Sequence, residues 1–145
     1  MTERTADPKF SRTGLATVST LLAAGLLHLV WATGSTFPFR SRAALNDAVI
    51  GRQVTPGPRE CVGVAVLLSA AAGAVACADR RQGPGSRIAA SGVCVVLATR
   101  AAFGFAGRTS MLVPGSESTR FRRMDRSVYA PICALLAAGA GRAAR

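Results

Sequence analysis

Between Glu60 and Asp79 the chain reads Cys61-Val62-Gly63-Val64-Ala65-Val66-Leu67-Leu68-Ser69-Ala70-Ala71-Ala72-Gly73-Ala74-Val75-Ala76-Cys77-Ala78, 18 residues without a charge. Wound as a helix, this stretch has no polar face. A soluble bundle helix keeps one, whereas a helix apolar all round lies deep in a core or in lipid. A membrane-spanning helix needs about 20 mostly apolar residues, within a range of about 17–25. The stretch therefore reads as a span.

Three further windows flank it. Thr13 to Phe39 is 27 residues without a charge, Ile88 to Gly107 is 20 broken only by Arg100, and Ser127 to Gly141 is 15. The last rises only about 22 Å at 1.5 Å per residue, short of a hydrocarbon core of about 30 Å. It reaches across if Arg122, Arg123 and Arg126 lay their stems in the core and lift their heads to the interface. The fold class expected is all-α, a four-helix transmembrane bundle. Its spans fall at about 14–33, 61–79, 88–107 and 123–141, within one domain over 14–143 that follows an N-terminal tail at 1–13. The longer loops, 35–60 and 108–122, share one face. The first window also fits a cleaved signal peptide, but its apolar stretch from Leu15 to Trp31 is 17 residues, beyond the usual h-region of about 7–15. Retention as a span is the expectation.

Composition agrees. Half of the 145 residues are apolar, and 18 Lys and Arg stand against 7 Asp and Glu, for a net charge of +11. The mean hydropathy of +0.32 excludes a disordered chain, which requires low hydrophobicity. With 4 Cys the chain is not a disulfide scaffold. Cys61 and Cys77 lie about 24 Å apart on one helix, too far to bridge. No C-x-x-C pair gives zinc spacing, so the cysteines read as small apolar residues. The basic residues flank the spans on both sides instead of gathering on one face. That argues against nucleic acid as a partner and for anchoring to the bilayer and its anionic headgroups. Eight basic residues fall on the side of the termini and nine on the other, so the positive-inside rule is tied. The tight connection through Arg80, Arg81 and Arg87 favours termini inside.

Two ionisable residues lie within spans, where they are costly and usually face the bundle interior. His28 lies about six residues before the end of the first span and Arg100 about seven before the end of the third, so both sit roughly 8–10 Å below the same surface. His28 and Trp31 share a helical face at i and i+3. We expect a polar pocket lined by His28, Trp31 and Arg100 and roofed by the two longer loops. Each residue also has a plain reading. Trp31 suits an interfacial belt, His28 a helix–helix hydrogen bond, and Arg100 a snorkelling cation. Into the fourth span run Phe121, Asp125 and Tyr129, spaced i, i+4, i+8 on one stripe. Pro131 either kinks that helix or occupies its first membrane turn. Asp125 has two candidate partners, Arg122 on its own helix and Arg100 if the loop dips; the surface pair with Arg122 is the expectation. Asp125 and Tyr129 join the candidate ligand-binding set.

The first span, with His28-Leu29-Val30-Trp31-Ala32-Thr33-Gly34, resembles a H-x-x-W-A-x-G signature. The segment Thr119-Arg120-Phe121 … Asp125 … Tyr129-Ala130-Pro131-Ile132-Cys133 resembles T-R-F … D … Y-x-P-x-C. In this order the two resemble a bacterial family of small integral membrane proteins, domain of unknown function 3995. The resemblance covers nearly the whole chain. It implies four spans, location in the bacterial cell membrane, and motif roles for His28, Trp31, Gly34, Arg100, Phe121, Asp125, Tyr129 and Pro131. In the family an acid often follows the third-span Arg by four residues. Here that position is Gly104, which leaves Arg100 in need of another partner.

The family name confers no activity. The functional expectation is a protein that binds or senses an anionic or amphipathic small molecule or lipid headgroup near one membrane face. The alternative is an accessory subunit that docks a membrane-protein partner, or a second copy, through the Gly/Ala-rich second and fourth spans. Without a metal site, phosphate loop or nucleophile elbow, no cofactor is expected and an enzyme is disfavoured. The remaining enzymatic reading is acid–base chemistry by His28 with Asp125 or Tyr129. A transporter would need dimerisation to enclose a path, and no inverted repeat is visible.

Overall fold

The computed structural model describes residues 10–52, 55–80, 83–116 and 118–145. Most of the expected N-terminal tail lies outside them, as does Arg81 of the tight connection. The described residues are helical and turn throughout, without a strand. In chain order they form α1 (Arg12–Ala32), α2 (Arg42–Val49), α3 (Pro58–Asp79), α4 (Pro84–Phe105), a 3₁₀ turn (Thr109–Met111), α5 (Thr119–Met124), a π turn (Asp125–Tyr129) and α6 (Ala130–Ala143). Helices α1, α3 and α4 are each long and apolar enough to cross a membrane. Segment α5, the π turn and α6 run on without a break and form the fourth rod.

Local sequence explains where the rods begin. Ser41 and Ser118 cap α2 and α5 by accepting from Ala44 N–H and Phe121 N–H, and Pro58 and Pro84 open α3 and α4, where a missing N–H costs nothing. Ser11 caps α1 by accepting from Gly14 N–H, and its own N–H and O–H donate to the Asp79 carboxylate at 2.8 and 2.6 Å. The start of α1 is thus tied to the end of α3. A side chain at Gly14 would collide with that carboxylate.

Around the bundle α1 packs chiefly on α3, α3 on α4, α4 on α6, and α6 back on α1. Helices α3 and α6 also touch across the centre, which leaves α1 and α4 at opposite corners. The core is built of Leu21, Ala72, Val75, Ala78, Ala90, Leu136, Ala140 and Ala143. Five of these eight are alanines, so the backbones come close, as packing in lipid requires. The small residues of α6 are spent here. A Cβ on Gly139 would strike Thr17 of α1, and one on Gly141 would come within 3.1 Å of Cys94 Sγ on α4. Large apolar side chains such as Leu22, Leu26, Val66, Leu67, Val95, Val96 and Leu135 point outward, the inside-out distribution that suits a hydrocarbon surround.

Candidate functional site

Five residues before the end of α4 and nearly two turns into the fourth rod, the chain assembles a buried ion pair. Phe121, Asp125 and Tyr129 face inward from one stripe, with Phe121 3% exposed, while Arg122, Arg123 and Arg126 stay exposed. Asp125 therefore turns away from Arg122. The expected surface pair is replaced by one with Arg100 of α4, Nη2 to Oδ1 at 2.5 Å. The second carboxylate oxygen accepts from the Thr109 hydroxyl. The stripe carries Asp125 into the interface with α4, and its side chain is only 2% exposed against 28% for Arg100. A buried carboxylate without such partners would be strongly unfavourable.

Gly104 makes the pair possible. A Cβ there would lie 2.7 Å from Ala130 Cβ, 3.0 Å from Arg100 Nη1 and 3.3 Å from Asp125 Oδ1. The position where the family resemblance leads one to look for an acid is thus the space into which the acid of another helix fits. Helix α4 and the fourth rod come together at this glycine, and the partner that Arg100 lacks on its own helix arrives from 25 residues away.

The backbone accommodates the pair with a π turn. Ala130 N–H bonds back to Asp125 O across five residues, and Pro131 stands in the first turn of α6. Proline has no N–H to give to the preceding turn, and single π turns absorb such breaks in otherwise regular helices. Pro131 therefore sits at a local widening.

The same segment clamps the loop cap. Tyr129 O–H donates to Ala48 O of α2 at 3.1 Å. The Phe121 ring lies against Gly51, where a Cβ would meet ring carbons at 2.7–2.8 Å and the backbone φ is +75°, a left-handed conformation that glycine adopts without strain. Ser118 O–H donates to Asp47 Oδ1 at 2.5 Å, and Arg126 donates twice to Phe105 O at 2.9 and 3.0 Å. Asp125, Arg126 and Tyr129 of the T-R-F…D…Y-x-P-x-C segment thus serve internal contacts.

His28 and Trp31 form a separate group. Their rings meet edge to face, 4.9 Å between centroids. His28 Nδ1 lies 2.8 Å from Ala24 O one turn back on its own helix, and Trp31 Nε1–H donates to Phe37 O at 2.7 Å, fixing the turn after α1. The pocket expected between His28, Trp31 and Arg100 presumed adjacent helices. With α1 and α4 at opposite corners, the structure instead gathers Arg100 with Asp125, and His28 with Trp31. Thr109, Gly104 and Arg126 are the contributors not anticipated from the sequence; a lone Thr after a span carries no local signal of its role.

Three buried polar atoms on this face are unpaired among the described residues: Asn46 Oδ1, Ser116 Oγ and one atom of Arg100. Arg100 Nη1 is buried and has no hydrogen-bond partner. Nearby on the loop side, the outer surface of α5 presents Arg120 and Arg123 beside a groove of about 440 Å³. Among the described residues no cluster of His, Cys, Asp or Glu could hold a metal ion.

Comparison with known proteins found no match among curated proteins and none among solved structures. A family model described as "Protein of unknown function (DUF3995)" matches residues 21–140, a range that holds the His28–Trp31 pair, the Arg100–Asp125 pair and the π turn. On that match, covering most of the sequence, the chain belongs to the DUF3995 family.

Proposed function

We propose that this chain is a multi-pass protein of the bacterial cell membrane that binds or senses an anionic or amphipathic small molecule, a lipid headgroup among them, at the face where α1 and α4 end. One observation carries the reading: the Arg100 guanidinium is only partly used. Nη2 bonds Asp125, Nη1 has no partner, and the side chain is over a quarter exposed while its acid is almost wholly enclosed. The acid is enclosed, whereas part of the Arg100 side chain, though not the buried Nη1, reaches the surface. An ionisable group held inside a membrane protein at such expense is a functional candidate by default. Arg100 supplies the charge contact, Asp125 and Thr109 hold it in place, and the Arg120–Arg123 surface adds positive potential for anionic headgroups. The test is purification in mild detergent followed by native mass spectrometry of retained lipid and small molecules. The Arg100→Gln/Asp125→Asn variant keeps shape and removes both charges. Loss of a retained anionic species is expected; an unchanged profile refutes the proposal.

A second reading, docking onto a membrane-protein partner or another copy, has its own observation. Gly63 and Gly73 on α3, and Gly85 and Gly92 on α4, would meet nothing within 4 Å if given a Cβ. The packing of this chain does not require them, although glycine costs about 1 kcal/mol against alanine inside a helix. A second helix laid on α3 would use the space. Crosslinking in native membranes from cysteines placed at 63 and 73 should then yield a larger species, and recovery of monomer alone counts against it.

A further inference from the structure

At the opposite end of the bundle, where α1 and α4 begin and α3 and α6 finish, a cavity of about 800 Å³ opens. All four rods contribute to its wall, through Ser11, Asp79, Pro84, Arg87, Arg142 and Arg145 among others. Its charge is unbalanced. Both Asp79 oxygens are occupied by the N–H and O–H of Ser11. Arg87 donates from Nε to Ala144 O at 2.9 Å and from Nη2 to Arg145 O, so it is held in place by main-chain oxygens. Among the described residues the one side-chain ion pair is that of Arg100 with Asp125; no Asp or Glu side chain pairs with Arg87, Arg142 or Arg145, and the Arg145 oxygen that Arg87 holds belongs to the carboxylate at the end of this sequence. The N-terminus of α4 also opens here, and its cap residue Gly83 brings no side-chain acceptor, which adds the partial positive charge of a helix start.

We infer that this cavity binds a phosphate-bearing anion. The guanidinium forks of Arg142 and Arg145 are suited to bidentate contact with phosphate oxygens, and Arg87, whose Nε and Nη2 are taken by main-chain oxygens, keeps Nη1 beside them. The position at a bundle end places the cavity at headgroup depth, where basic pockets between membrane helices take anionic lipids. Its volume lies within the range of about 300–1,000 Å³ of small-molecule sites, far more than a single inorganic phosphate fills, and Ala78 and Ala143 give it an apolar floor. The phosphodiester headgroup of an anionic phospholipid is the occupant that matches both charge and size. No residue is shared with the Arg100 site, so either assignment can fail alone.

The test uses the full chain in detergent, titrated with dioctanoyl phosphatidylglycerol, with dioctanoyl phosphatidylcholine, and with inorganic phosphate. The variants are Arg142→Gln/Arg145→Gln and, as a charge-matched control outside both sites, Arg40→Gln/Arg59→Gln, two exposed residues. Arg142 and Arg145 are exposed, and circular dichroism reports whether the fold persists. The phosphatidylglycerol should bind in preference to the zwitterionic lipid. At about tenfold for each 1.4 kcal/mol and the usual strength of a surface arginine near anionic lipid, losing two arginines should weaken it about thirtyfold. The control should lie within about twofold of wild type at this site. Competition by inorganic phosphate at comparable affinity identifies a free phosphate compound as the occupant, and no competition identifies the headgroup. Equal binding of the two lipids with no phosphate binding overturns the inference, as does unchanged affinity in a folded Arg142→Gln/Arg145→Gln variant. Should that variant unfold, wild-type binding must still weaken with rising salt, and salt independence overturns the inference.

Discussion

Replacing Arg100 by Gln should destabilise the protein more than replacing Asp125 by Asn, and replacing both should recover part of the loss. Removing one member of a buried ion pair costs about 3–5 kcal/mol, because a charge is left unpaired. The two members are not equally buried, with 2% exposure for the Asp125 side chain and 28% for that of Arg100. Arg100→Gln strands a carboxylate that keeps only the Thr109 hydroxyl and cannot turn to water, which places it near about 5 kcal/mol. Asp125→Asn strands a guanidinium that can partly resolvate on its long stem, and the new amide still accepts from Thr109, which places it near or below about 3 kcal/mol. The double variant carries no unpaired charge and loses only hydrogen bonds, at about 1 kcal/mol each. At about 2–4 °C per kcal/mol for a chain of this size, thermal unfolding in detergent, followed by circular dichroism, should fall by roughly 10–20 °C for Arg100→Gln and by about half that for Asp125→Asn. The double variant should melt above the Arg100 single. Single effects that simply add to the double, within about 0.5 kcal/mol, would mean that the pair is not coupled in the folded protein and would refute the reasoning.

The remaining predictions use the same measurement. Gly104→Ala should destabilise by about 1–3 kcal/mol through overpacking, since its Cβ would press on Ala130, whereas Gly73→Ala, which meets open space, should leave stability unchanged or raise it by about 1 kcal/mol. Phe121→Ala should cost about 3–5 kcal/mol and should also speed proteolysis between residues 35 and 57, because the ring seats the cap on Gly51. Tyr129→Phe should cost only about 0.5–1.5 kcal/mol, the loss of one hydroxyl bond to Ala48 O, with lipid retention unaltered.

The sequence by itself determined the rods. Windows of 18 residues or more with at most one charge leave a helix almost no polar face, and hydrocarbon admits little else, so three apolar helices follow from composition alone. The inward stripe of Phe121, Asp125 and Tyr129 was equally legible, because helical periodicity fixes which residues share a face. Periodicity does not say what that face meets. Which rods become neighbours depends on where small residues let backbones approach, at Gly104 against Ala130 and Gly139 against Thr17, and those are contacts between distant parts of the chain. That choice gave Asp125 to Arg100 instead of Arg122 and set His28 and Arg100 at opposite corners despite their similar depth. It also brought Arg87, Arg142 and Arg145 around one cavity. Depth along a rod is a local property of sequence, while position around the bundle is decided only by packing.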